Sequence, residues 1–109
     1  SQGTLFESPD LVITQTSKAK DLKRIYDIYK TKVTDLVVVL SEVEKKKFSI
    51  LLGQGKSKNL DTRKLLNHLK DKFEITGGGK TQMSQGGSDK LEVRQKLIDY
   101  LKETDVKKI

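Results

Sequence analysis

Cysteine is missing from this sequence, and histidine occurs once, at His68. Disulfides, thiolate metal sites and histidine-rich metal clusters are thereby excluded, since each needs several such ligands converging on one point. No metal and no cofactor is expected. A cysteine-free chain also suits a reducing compartment, so the expected location is cytoplasmic. No stretch approaches the roughly 20 consecutive apolar residues of a membrane span, and the opening SQGTLFESPD lacks the basic-then-apolar layout of a secretory signal. A membrane partner is therefore not expected.

Arginine is scarce too, with only Arg24, Arg63 and Arg94 among the 22 basic residues. Lysine is a mobile point charge suited to phosphate, whereas bidentate reading of guanine edges prefers arginine. The shortage favours recognition of backbone and shape over recognition of sequence. The net charge of +7 is unevenly spread: residues 41–80 carry ten basic and five acidic groups, while residues 1–40 and 81–109 carry six and five each. A polyanion would be drawn to this middle third.

At 109 residues the chain has room for one core. Hydrophobic residues make up 34%, as do charged ones, but the apolar ones fall in periodic blocks, as in a folded domain. Residues 1–9 read as a disordered or extraneous tail, 10–105 as a single domain and 106–109 as a C-terminal tail. Leu11-Val12-Ile13-Thr14 is β-branched and predicts a strand. Ser17 is placed to cap a helix over about 18–32, with Leu22, Ile25, Tyr26, Tyr29 and Val33 on its apolar side and Lys18, Lys20, Lys23, Arg24, Asp27 and Lys30 on the other. The run 35–40, DLVVVL, predicts a buried central strand, 42–47 a charged connection, and 48–52 its hairpin partner.

After the loop 53–59, Asp61 is placed to cap a second helix with Leu65, Leu66, Leu69 and Phe73 on its buried stripe. Asp89 with Glu92 resembles a capping box for a last helix carrying Val93, Leu97, Ile98 and Leu101. Between them, 77–87 reads GGGKTQMSQGG, with five glycines, too many for a helix interior. It is expected as a loop, with room for a short strand, whose amides converge on an anion beside Lys80. The bland alternative is a flexible surface connection. The fold class is thus α/β: a small mixed sheet of roughly three to five strands flanked by about three helices.

Familiar catalytic motifs fail on spacing. A triphosphate-binding loop ending at Gly79-Lys80-Thr81 needs a glycine where Glu74 stands, and a dinucleotide fingerprint begun at Gly53-x-Gly55 meets Lys58 at its sixth position. His68 has no partner in view, and Ser17, Ser57 and Ser88 assemble into no nucleophilic constellation. No catalytic residue is expected. Tyr26, Tyr29, Phe73 and Tyr100 sit at helical core spacing and only Phe48 falls on an expected strand, which disfavours a base-stacking sheet. Lys56, Lys58, Arg63 and Lys64 are the better phosphate contacts.

The segment GGGKTQMSQGG resembles the signature of the C-terminal domain of alanyl-tRNA synthetases, usually written GGGRPDMAQAGG, within the wider DHH-associated domain family. It keeps Gly77, Gly78, Gly79, Met83, Gln85 and Gly87; Lys80 replaces arginine and Ser84 alanine. Thr81 and Gln82 stand in place of the proline and acid, and Thr62-Arg63 in place of an Ala-Gly pair. The order of elements from about residue 10 to 104 is also similar. The resemblance implies a DHH-associated-domain-like fold and a tRNA-binding role, in which catalysis lies elsewhere in the parent ligase and tRNA(Ala) is positioned for aminoacylation and editing. It implies tRNA and the remainder of the synthetase as partners. Gly77, Gly78, Gly79, Lys80, Gln82, Gln85 and Gly87 would then face nucleic acid. Two alternatives stay open: the substrate-binding domain of a DHH-type phosphoesterase acting on oligonucleotides or cyclic dinucleotides, and a structural module that forms a homodimer.

Overall fold

The computed structural model describes residues 3–43 and 46–109. Six strands form one sheet: β1 (Gly3–Glu7), β2 (Leu11–Thr16), β3 (Leu36–Val43), β4 (Lys47–Gln54), β5 (Thr76–Gly79) and β6 (Met83–Ser88). Among the described residues three α-helices accompany it: α1 (Leu22–Tyr29), α2 (Thr62–Lys72) and α3 (Glu92–Glu103). The strand order is β1-β2-β3-β4-β6-β5, and β2–β3 is the parallel pair in an otherwise antiparallel sheet. A parallel pair needs a crossover, which α1 supplies.

Period-two alternation sorts the side chains of the sheet between two cores. Val12, Val37, Val39 and Leu51 face α1, where they bury Leu22, Ile25, Tyr26 and Val33. Ile13, Leu36, Val38, Leu40, Phe48, Ile50 and Leu52 face the opposite side and pack against α2 and α3. Leu36–Leu40 is therefore buried on both faces, as its unbroken apolar run implies. Leu65, Leu66 and Leu69 of α2 are fully buried, each contributing about 1.5–3 kcal/mol of transfer free energy. This helix lies over β4, β6 and β5, so the glycine-rich strands have one face covered and one free.

Several expectations change. Gly3–Glu7, expected within the tail, pairs with β2 as an edge strand, and Phe6 packs against the α3 core. Val106, also expected in a tail, is buried in a 3₁₀ turn, and Ile109 packs beside it. The first helix is shorter than 18–32. A 3₁₀ turn at Ala19–Asp21 precedes it without a side-chain cap from Ser17, and the chain turns back early so that the Thr34 and Asp35 amides reach the carbonyls of Pro9 and Asp10. The connection over 42–47 shrinks because β3 extends to Val43 and β4 begins at Lys47; 44 and 45 lie outside the described residues. The expected capping box is not formed, since α3 starts at Glu92 with no side-chain cap. Asp61 does cap α2, its Oδ1 accepting from the amides of Arg63 and Lys64 at 3.0 and 3.2 Å.

Candidate nucleic-acid interface

The glycine segment is a β-hairpin rather than a loop. Thr76–Gly79 pairs with Ser84–Gly87, and the Lys80 amide donates to the Met83 carbonyl at 2.9 Å. Hydrogen-bonded pairs alternate along an antiparallel ladder, so Gly78 pairs inward with Gln85 while Gly77 and Gly79 turn their polar groups to the sheet edge. The amides of the segment are thus divided between the ladder and the sheet edge rather than gathered in an open loop. Glycine is required here by closeness: a Cβ on Gly77, whose φ is +141°, would lie 2.2 Å from the Gln85 carbonyl oxygen. Gly78 differs, having nothing within 4 Å of its Cβ position.

The hairpin turn is fastened to the rest of the domain. Thr62, fully buried at the start of α2, donates its amide to the Thr81 carbonyl at 2.9 Å, and its Oγ1 lies 2.8 Å from the Lys80 carbonyl and 3.1 Å from Ser84 Oγ. The Gln54 amide donates to the Gln82 carbonyl at 2.9 Å. Tyr26 closes the other side, because its ring packs over Gly53 where no side chain would fit, and its hydroxyl donates to the Gln54 carbonyl at 2.7 Å. Burial pushes the Tyr26 hydroxyl above its ordinary pKa.

Between α1 and the free face of the hairpin runs an open groove of about 580 Å³. Tyr26 and Met83 give it an apolar lining, Gly78 and Gly79 leave its far wall low, and Gln82 and Gln85 offer amide groups. Lys23 and Lys30 reach it from α1 and Lys80 from the turn. Lys23 and Lys30 share one carboxylate, with Asp27 Oδ1 at 2.9 and 3.1 Å. Hydrogen bonds from Lys23 and then Lys30 hold the Asp27 carboxyl below its usual range. Lys80 is exposed and has no ion-pair partner among the described residues.

Five of the expected contacts thus come together: Gly78, Gly79, Lys80, Gln82 and Gln85. The others lie elsewhere. Gly77 faces the sheet edge, where its carbonyl accepts from Lys70 Nζ at 3.0 Å. Gly87 lines a depression of similar size at the far end of the hairpin, whose cations are matched by acids, Lys90–Glu74 at 2.5 Å and Lys47–Asp89 at 4.0 Å. Lys64 borders a separate cleft with Asp35, Asp61 and Lys107. Lys56, Lys58 and Arg63 are exposed outside the groove, on the loop and first helical turn that follow Gln54 and Thr62, the two anchors of the hairpin turn. The loop amides of Lys56 and Ser57 are spent on the carbonyls of Val33 and Thr34, and Lys58 adopts φ +57°. Lys23, Tyr26, Lys30 and Met83 were not among the expected contacts. The polar side of α1 was legible as a basic strip, but nothing local says that it borders the glycine segment.

His68 hydrogen-bonds Tyr100 at 2.6 Å and stacks on it, and Phe73 meets Tyr100 edge-on. Among the described residues no group of three or more His, Asp or Glu is placed to hold a metal, and no helix is long and apolar enough to cross a membrane.

The family model described as the DHHA1 domain matches residues 11–105. This chain belongs to the DHHA1 domain family. Within curated proteins, the domain is 36% identical over 86 residues to an alanine–tRNA ligase of Vesicomyosocius okutanii and 33% identical over 92 residues to one of Ruthia magnifica. Those alignments take in 77% and 83% of this chain but 10% and 11% of the ligases, so the chain spans about a tenth of the length of these relatives. Its fold is similar to the C-Ala domain of Aquifex aeolicus alanyl-tRNA synthetase, with a TM-score of 0.68, 18% identity and 86% of each chain covered. It is also similar to PggH, a pGpG-specific phosphodiesterase of Vibrio cholerae, with a TM-score of 0.61, 13% identity, and 88% of this chain but 33% of that one covered.

Proposed function

We propose that this DHHA1 domain is the C-terminal tRNA-binding part of a cytoplasmic alanine–tRNA ligase, positioning tRNA(Ala) for aminoacylation and editing by the remainder of that enzyme. The observation that carries the reading is the groove between α1 and the β5–β6 hairpin, where Lys23, Lys30 and Lys80 converge around an apolar lining. Phosphates meet the three ammonium groups, and Gln82 and Gln85 hydrogen-bond ribose or base edges. Lys56, Lys58, Arg63 and Lys64 extend the positive surface beyond it. Gly77 and Gly87 act through the hairpin backbone.

Titration of the domain with a tRNA(Ala) transcript at several salt concentrations tests this. Neutralising about four phosphates gives a slope of log K against log salt on the order of −3. A slope near zero overturns the mechanism. The likeness to a pGpG-specific phosphodiesterase supports a second reading, a pocket for short oligonucleotides or cyclic dinucleotides; tighter binding of pGpG than of the transcript would favour it. A dimer on gel filtration with no affinity for either would favour a structural module.

A further inference from the structure

Asp27 stands between Lys23 and Lys30, one helical turn from each, with its Oδ1 bridging both ammonium groups and its Oδ2 3.0 Å from Lys23 Nζ. It does not itself line the groove, whereas both of its partners do. Two of the three lysines in the groove therefore carry an internal counter-anion, and the third, Lys80, is unpaired among the described residues. We propose that Asp27 is a built-in competitor for the phosphate site, which an incoming phosphodiester chain must displace from Lys23 and Lys30. This inference rests on the reading of the groove as a polyanion site.

Physical chemistry sets what such a competitor does. All three side chains are exposed, and exposed ion pairs are weak, so the exchange is accessible. A single monoanion gains too little from replacing one carboxylate with another acceptor. A chain that already holds Lys80 brings its next phosphates to Lys23 and Lys30 at high effective concentration, and displaces Asp27. The freed carboxylate then gathers a cation from solution, so binding releases about one counterion fewer than the three lysines alone would. Asp27 thereby lowers affinity, makes it less steep in salt, and biases the groove toward continuous polyanions over isolated anions.

The test compares wild type, Asp27→Asn, Asp99→Asn and the double variant Asp27→Asn with Lys23→Gln, titrated with the tRNA(Ala) transcript from low to moderate salt. Asp99 lies on α3, across the sheet from the groove, where it accepts from Gln95, so its loss changes net charge equally without freeing the groove lysines. Asp27→Asn is expected to tighten binding about threefold to tenfold at low salt and to steepen the slope by about one. Asp99→Asn should leave the slope unchanged, and the added Lys23→Gln should remove most of the gain. Thermal unfolding of each variant checks the fold. Wild-type binding with no steepening in Asp27→Asn, or the same gain in Asp99→Asn, overturns the inference while leaving the groove reading intact. Failure of every variant, wild type included, to bind the transcript at low salt overturns both.

Discussion

Gly77 and Gly78 are adjacent, exposed and chemically identical, yet the structure assigns them opposite costs. A Cβ on Gly77 would meet the Gln85 carbonyl oxygen at 2.2 Å and Gly86 Cα at 2.5 Å, both backbone atoms, at φ +141°. Relief requires β5 and β6 to part, so Gly77→Ala should cost on the order of 1–3 kcal/mol. With a urea dependence of about 1–3 kcal/mol per molar, the unfolding midpoint should fall by roughly 1 M. At Gly78 the Cβ enters open space, and Gly78→Ala should leave stability unchanged or raise it by about 0.4–1 kcal/mol through the less disordered unfolded chain. Gly78 also lines the groove, so Gly78→Glu places a carboxylate beside the lysines with little effect on folding. Repulsion of a bound phosphate at near-contact distance is about 1–4 kcal/mol near a protein surface, equivalent to a roughly fivefold or greater rise in Kd for the transcript. Urea unfolding and salt-controlled titration measure the two effects separately. Equal destabilisation by the two alanine variants, or wild-type affinity in Gly78→Glu, would refute the division between strand contact and groove wall.

Thr62→Val keeps the shape of a fully buried residue but removes the hydroxyl that meets the Lys80 carbonyl and Ser84; a loss of about 1–3 kcal/mol in chemical unfolding, with weaker transcript binding as the turn loosens, is expected. Tyr26→Phe deprives the Gln54 carbonyl of its donor and should cost about 1 kcal/mol. Because burial raises the Tyr26 hydroxyl above 10.0, its contribution is whole below pH 10 and is lost as pH climbs through the raised value. The stability difference between wild type and Tyr26→Phe should therefore be constant below pH 10 and shrink above it in pH-dependent unfolding. Asp61→Ala removes the carboxylate oxygen that accepts from two backbone amides at the start of α2 and should lower stability by about 0.5–2 kcal/mol by calorimetry.

The central elements were legible because their patterns are local. Leu36–Leu40 lies in a strand buried on both faces, Phe48–Leu52 is its antiparallel partner, and the leucines of α2 and α3 recur at helical spacing. What escaped depends on distant contacts. GTLFE becomes β1 only because β2 offers an edge, and TGGG becomes β5 only because β6 lies beside it; glycine composition opposes strand formation until close approach of backbones requires it. The glycine segment was readable as a family signature, yet its place beside Lys23 and Lys30 follows from β6 pairing with β4, whose partners run from Gly53 with Met83 to Phe48 with Ser88, a long-range pairing that no local pattern encodes.

Lys70 has a consequence beyond its own turn of helix. Its ammonium donates to the outward carbonyl of Gly77, on the outermost strand at that end of the sheet. A foreign strand arriving there finds an acceptor already engaged and a full positive charge in its path, which is a recognised means of discouraging edge-to-edge association. Neutralising that one amine would leave the Gly77 carbonyl of this glycine-rich strand open to an incoming partner, so a side chain that touches neither core nor groove guards the end of the sheet.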